Sequence, residues 1–293
     1  MPAERNAPVT LVIGSDSLIG RALSEQLRRE GERFVGTTRR REAVIGNLHH
    51  LDLSEDLEAW RPPQAVSVAV ICAGVTKIEN CQRDPSSSAR VNVEAISTLA
   101  RKLTEEGAFV IYLSTNQVFD GSKPKFSPSD ATLPQTEYGR QKVEVERRLL
   151  ALNDATSIVR LTKVIGPGGM PLLKSWREAL RQGEAIHPFK DMVMAPVPLA
   201  LVVAVLRRLV EKRLPGIMQV SGEEDITYAQ VAYHIAERIG ASAELVRPIN
   251  AREAEISSEA APLHTTLDTT RLQNDLGLEP PDVWATIDST LDL

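Results

Sequence analysis

The chain is poor in the features that mark secreted, membrane-spanning or nucleic-acid-binding proteins. Its two cysteines, Cys72 and Cys81, cannot build a disulfide framework in 293 residues. The amino terminus carries Glu4 and Arg5 and no apolar leader ahead of the first hydrophobic block, so a reducing, cytoplasmic setting is expected. The longest apolar stretch, Val197 to Leu206, falls far short of the ~20 residues a membrane span needs and reads as a core helix. Aromatics are scarce, at 3 Trp, 4 Tyr and 5 Phe, which leaves little to stack exposed bases on. Any ligand is held mainly by backbone and polar groups. Lys+Arg 34 against Asp+Glu 39 gives a net charge of −5, with no pull toward nucleic acid or an anionic bilayer. His49, His50, His187, His234 and His264 join no cysteine or carboxylate at ligand spacing, so no metal is expected.

What remains is an ordinary folded composition, 42% hydrophobic and 25% charged. Val9-Thr10-Leu11-Val12-Ile13 closes on Gly14, which suits a strand buried on both faces. Leu18, Ile19, Ala22, Leu23 and Leu27 then follow at helical spacing. The alternation recurs, with strands expected at 33–37, 66–71, 109–113 and 157–164 and helices at 91–103 and 136–152. Strands separated by helices of this length predict an α/β fold, a Rossmann-type doubly wound parallel sheet over residues 1–165. Gly166-Pro167-Gly168-Gly169-Met170-Pro171 marks an exit from that sheet. A smaller, mainly helical lobe is expected over 166–293, with helices at 172–181, 199–210 and 228–239. Residues 196–222, including a strand at 217–220, are expected to return to the first sheet. Asp268 is the expected cap of a short helix from Thr269 to Leu276 that Gly277 stops.

Gly14-Ser15-Asp16-Ser17-Leu18-Ile19-Gly20 lies between the first strand and first helix, where a dinucleotide's phosphates meet free helix N–H groups. Ser17 stands where a middle glycine is usual; its hydroxyl can donate to a phosphate or cap the helix. The second strand ends Thr37-Thr38-Arg39-Arg40-Arg41, without a carboxylate for a ribose 2′-OH. Arg39 and Arg40 suit a 2′-phosphate, favouring NADP over NAD, although three arginines can also form a solvated loop. Asp52, before Leu53, can bond the adenine amino group or start a turn.

Tyr138 and Lys142 are four apart on one face of the helix that begins near Thr136. The preceding strand delivers Ser114 and Thr115 at the carboxyl edge, where open α/β sheets bind ligands. A phenol starts near pKa 10, so proton transfer near neutrality asks for ~4 kcal/mol of phenolate stabilisation, which the Lys142 ammonium and an oxidised nicotinamide would supply.

With these motifs the chain resembles the extended short-chain dehydrogenase/reductases, and is most similar to the dTDP-4-dehydrorhamnose reductase (RmlD-like) family. The resemblance rests on Gly14-x5-Gly20, Cys72-Ala73-Gly74-Val75-Thr76, Val91-Asn92-Val93, Ser114-Thr115-x2-Val118-Phe119-Asp120-Gly121 and Tyr138-Gly139-Arg140-x-Lys142, with Arg160, Gly166 and Leu267-Asp268-Thr269-Thr270-Arg271-Leu272. It implies an NADP(H)-dependent reductase acting on a ketone of a nucleotide sugar, with Tyr138 as proton donor, Lys142 on the ribose hydroxyls and Thr115 on the substrate oxygen. It further implies cofactor contacts from Cys72, Ala73, Gly74, Thr76, Asn92, Ser114 and Val164. Substrate contacts are implied from Thr76, Asn116, Gln117, Gly168 and Gly169. A homodimer through the Val91 and Tyr138 helices is implied as well. Asn116 and Gln117 stand where sugar dehydratases carry an acidic pair, and amides cannot trade protons. Pro262-Leu263-His264-Thr265-Thr266 replaces the family's usual Arg-Pro lead-in. The alternatives kept open are a non-catalytic NADP-binding regulatory subunit and a nucleotide-sugar epimerase.

Overall fold

The computed structural model describes residues 8–254 and 262–291; the amino-terminal stretch read for a leader lies outside the described residues. In chain order the elements begin with β1 (Thr10–Ile13), α1 (Leu18–Arg29), β2 (Phe34–Thr38), β3 (Leu48–His50), β4 (Val68–Ile71), α2 (Ile78–Arg83) and α3 (Pro85–Ala89). A wide π-type turn, Arg90–Ala95, leads into α4 (Ile96–Glu105), followed by β5 (Phe109–Thr115), α5 (Glu137–Leu150) and β6 (Thr156–Leu161). Then come β7 (Val164–Ile165), α6 (Pro171–Arg181), β8 (Val193–Met194), β9 (Val197–Pro198), α7 (Leu199–Lys212) and β10 (Gly216–Val220). The last elements are β11 (Ile226–Thr227), α8 (Tyr228–Ile239), α9 (Thr270–Leu276) and α10 (Val283–Leu291).

Seven strands form the central sheet in the order β10-β6-β5-β4-β1-β2-β3. Pairing is parallel between β1 and β2, β1 and β4, β2 and β3, and β4 and β5. All residues of β1, β4 and β5 are buried, which is why these strands are apolar runs rather than alternating ones. The chain winds outward from β1 in one direction and from β4 in the other, a Rossmann-type order whose reversal leaves a crevice beyond the carboxyl ends of these two strands.

Two compact units divide the chain. The first takes the chain up to Thr115, then Thr136–Arg160 and Val203–Met218; the second takes Asn116–Gln135, Leu161–Val202 and the chain from Gln219 onward. The core of the first gathers Leu11, Ile13, Ala69, Ile71, Ile96, Leu99, Tyr112 and Leu149. The core of the second gathers Ile165, Leu173, Trp176, Ile235 and Val283.

Several boundaries differ from the sequence expectation for identifiable reasons. The helical run expected from Val91 starts at Pro85, because Asp84 Oδ1 accepts from Ser87 N–H at 3.0 Å and proline suits the first turn. The last strand expected to Val164 stops at Leu161: Thr162 N–H donates to Val220 O at 3.1 Å and its hydroxyl to Ala195 O at 2.5 Å, after which β7 pairs with β9 instead. The cap of α9 is Thr269, with Asp268 Oδ1 accepting from Thr270 N–H at 2.8 Å, while Gly277 ends the helix in the left-handed region at φ 60°. β3 ends just before Asp52, where a third strand is expected to end, while α2, β8, β9, β11 and α10 are additions to the sequence reading.

Candidate active site

The turn after β1 is built for close approach. Gly14 has φ +81°, and a Cβ there would lie 2.8 Å from the Cβ of Ala73, which follows β4. A Cβ on Gly20 would lie 2.2 Å from Gly14 O, so α1 can start this near β1 only with glycine. Ser17 Oγ accepts from Gly20 N–H at 3.1 Å and so caps α1, with its own O–H still able to donate to a phosphate. Ser15 turns its hydroxyl inward, donating to Val12 O at 3.0 Å. The N–H groups of Leu18 and Ile19 have no partner among the described residues, and the first turn of α1 holds no acidic residue. That is a fit for an anion, with two donors and the positive end of a helix dipole.

The end of β2 carries no carboxylate of its own, but one reaches it from the turn after β1. Asp16 reaches across from the turn, and its Oδ2 accepts from Thr38 Oγ1 at 2.9 Å and from Arg40 Nε at 3.1 Å. Arg41 is paired with Glu55 at 2.8 Å. Arg39 is exposed and makes no side-chain hydrogen bond or ion pair among the described residues, its field falling on Asp52. Of the three arginines it alone has no acidic partner among the described residues. Asp52 starts a turn, its Oδ1 accepting from Ser54 N–H at 2.9 Å and Ser54 Oγ at 2.7 Å, and those bonds hold its carboxyl below the usual range. Leu53 is buried in the core of the first unit.

The wall after β4 is formed by Cys72, Ala73 and Gly74. Burial pushes the Cys72 thiol up to about 12, so it is a small neutral lining group rather than a nucleophile. Asn92, in the π-type turn, has both ends of its amide engaged. Its Oδ1 accepts from Val75 N–H at 2.8 Å, while its Nδ2 donates to Val75 O at 2.9 Å and Gln141 Oε1 at 2.8 Å. Asn92 therefore holds the wall in place. Thr76 is exposed beyond that wall.

The expected catalytic residues all belong to the first unit. Thr136 caps α5 by accepting from Gly139 N–H at 3.1 Å, which starts the helix so that Tyr138 and Lys142 share one face. Lys142 is buried; its Nζ donates to Leu113 O at 2.7 Å and lies 4.5 Å from the Tyr112 ring centre and 5.6 Å from that of Tyr138. Burial, only partly offset by Glu146, brings its ammonium down to about 8. Tyr138 departs from expectation in direction: burial, and secondarily Cys81, pushes its phenol up rather than down. Thr115 is buried at the end of β5. Ser114 donates to Glu146 Oε1 at 2.5 Å.

Asn116 and Gln117 form a short 3-10 turn directly after β5, and fall in the second unit with Val164 of β7 and the glycines that follow. Gly168 and Gly169 have φ of +78° and +73°, and a Cβ on Gly169 would meet the Leu291 side chain at 2.3 Å. Among the described residues no cluster of three or more His, Cys, Asp or Glu is placed for a metal, and no helix is long and apolar enough to cross a membrane. The residues that sequence reasoning missed are Asp16 as the partner of Thr38, and Glu146, whose spacing of four from Lys142 was the available signal.

Comparison with known proteins agrees with this geometry. The family model described as RmlD substrate binding domain matches residues 9–292. The probable low-salt glycan biosynthesis reductase Agl14 of Haloferax volcanii is 27% identical over 280 residues, covering 92% of this chain and 93% of its own. Methionine adenosyltransferase 2 subunit beta of Pongo abelii is 25% identical over 285 residues, covering 90% of this chain and 81% of its own. The crystal structure of dTDP-4-dehydrorhamnose reductase from Bacillus anthracis in complex with NADP superposes with a TM-score of 0.82 at 20% identity, covering 98% of this chain and 99% of that one. With its motifs in order along a Rossmann-type sheet and a match running nearly end to end, the chain belongs to the RmlD substrate binding domain family.

Proposed function

We propose that the protein is an NADP(H)-dependent reductase of the short-chain dehydrogenase/reductase type, reducing a ketone of a nucleotide-activated sugar. The observation that carries this reading is a half-buried phenol and a buried ammonium one turn apart on α5, with the ammonium on Leu113 O of a strand that ends in Thr115, in the unit that also holds the anion-fitting turn. The Leu18 and Ile19 N–H groups would take the pyrophosphate, Arg39 a 2′-phosphate and Lys142 the ribose hydroxyls. When bound, the reduced nicotinamide supplies the hydride. Thr115 orients the carbonyl oxygen, and Tyr138 Oη gives it a proton as the carbon accepts the hydride pair. The phenolate left on Tyr138 is then balanced by Lys142. In the protein alone burial holds the phenol protonated, the state a reductase needs at the start of its cycle. Asn116 and Gln117 cannot act as a second acid and base, which disfavours elimination of water.

The reductase name of the Haloferax relative supports this reading, and so does the NADP bound in the Bacillus anthracis structure. The Pongo abelii relative is named a subunit of another enzyme, which favours as a second reading a chain that binds NADP(H) without turning it over. One experiment separates the two: NADPH consumption by the purified protein, followed by absorbance across a panel of nucleotide 4-ketosugars, with Tyr138→Phe in parallel. Turnover by the wild type that the variant loses supports the reductase. Binding of NADPH without turnover by either protein overturns it in favour of the binding module.

A further inference from the structure

Tyr138, Lys142 and Glu146 follow one another at intervals of four along α5, so the face that carries the proposed catalytic pair also carries a carboxylate. Glu146 is 3% exposed and Arg160, on β6, 2%. Arg160 Nη2 donates to Glu146 Oε2 at 2.7 Å, and its Nε lies 3.1 Å from Oε1 and 3.2 Å from Oε2. With Ser114 Oγ on Oε1 at 2.5 Å, one carboxylate ties α5 to both β5 and β6. A buried ion pair is poor value as a fastener, since desolvation offsets most of its attraction. Its position beside the active site suggests a different use. The titratable groups facing Lys142 are Tyr138 and Glu146 on α5, Tyr112 on β5, Cys72 after β4 and Cys81 on α2, with Arg160 on the far side of Glu146. Burial raises both thiols and the Tyr112 and Tyr138 phenols, so these four stay neutral and Glu146 is the anion of the group.

We propose that Glu146 is a positioning residue of the active site: held by Arg160, it fixes Ser114 and with it the Thr115 end of β5, and it supplies the negative charge that lets Lys142 remain an ammonium inside the protein. The role in turnover rests on the reductase reading; the role in charging Lys142 does not. Protein carrying 15N at lysine Nζ, with Lys142→Met to assign the signal, is titrated by NMR without cofactor or substrate. The wild-type amine is expected to titrate at about 8. Glu146→Gln, which keeps an oxygen for Ser114 and removes the charge, is expected to lower that value by about one pH unit or more. Glu146→Asp, which keeps the charge, is expected to stay near the wild type. In turnover assays the alkaline limb of kcat/KM moves down with the Gln variant, while Ser114→Ala lowers kcat by about tenfold and leaves the limb in place. If the Gln variant does not fold, Arg160→Gln, which leaves the Glu146 carboxylate without its cation, is expected to raise the Lys142 value instead, and an unchanged or lowered value there overturns the proposal. A Gln variant that titrates with the wild type overturns the proposal, and so does an Asp variant that titrates with the Gln one. A protein that titrates as expected but never consumes NADPH refutes the reductase reading and leaves the charging role intact.

Discussion

Lys142 Nζ lies 2.7 Å from the main-chain oxygen of Leu113, so the ammonium is anchored to the strand that ends at Thr115 rather than paired with a surface acid. Being buried, it holds its proton only up to about 8, below the ordinary 10.5 of a lysine. Between those values the unfolded chain binds more protons than the folded one, so this residue makes stability rise with pH from about 8 to 10.5. Below that window the cost of a buried charge is fully present. Lys142→Met is therefore expected to melt higher than the wild type at pH 7, by about 2 kcal/mol, with the gap narrowing toward pH 10. Urea titrations of both proteins at the two pH values check this. Equal destabilisation of the variant at both would sink the buried-charge account.

The same lowered ammonium sets an upper limit on function. The pKa of about 8 for the free protein predicts that kcat/KM and NADPH affinity both decline as pH rises through that value, because the ribose loses its cationic partner and the Tyr138 phenolate its counter-charge. A pH profile flat from 7 to about 9.5 would count against Lys142 as the titrating group.

Cofactor choice turns on Arg39 and Asp16. Arg39→Ala is expected to weaken NADPH binding by about ten- to a hundredfold, the loss of one or two charge-assisted bonds, while NADH binding changes little. Asp16→Asn removes the carboxylate that holds Arg40 and Thr38, and is expected to raise the preference for NADPH further. Titration calorimetry with both cofactors measures the two effects. An Arg39→Ala variant that loses both cofactors equally would place Arg39 on a group that they share.

Around the phosphate turn, Ser17→Ala is expected to lower stability by about 1 kcal/mol through loss of the cap on α1, whereas Ser17→Gly costs only a few tenths. Gly20→Ala is expected to be worse than either, because its methyl group would stand 2.2 Å from Gly14 O and backbone has to move. Chemical denaturation of the three variants gives the ranking directly.

The fold was legible in the sequence wherever burial on both faces writes itself as an unbroken apolar run, as in β1, β4 and β5. Polar punctuation with a mechanism was legible too, as with Thr136 ahead of α5 and Gly277 behind α9. β3 was legible only by its end near Asp52, because Leu48-His49-His50 is short and half polar and its pairing with β2 is decided by neighbours rather than by its own residues. The Asp84-Pro85 start of α3 was present as a cap and a first-turn proline, obscured by the serines that follow. In the candidate site, residues adjacent in sequence order were found and those adjacent only in space were not. Asp16 and Thr38 come together through sheet pairing, and Glu146 and Arg160 through the packing of α5 against the strands, neither of which leaves a local pattern. The direction of the Tyr138 shift was missed for a similar reason: spacing reveals a neighbouring charge, but not how much solvent has been removed from it.

β10 is the outer neighbour of β6, and its first residues arrive with Val203–Met218, long after the chain has left the sheet at Leu161. A fragment cut at residue 165 would therefore not be an autonomous nucleotide-binding module. It would present β6 as a bare strand with unsatisfied main-chain groups, inviting self-association. Attempts to graft or minimise this protein must carry the returning segment along.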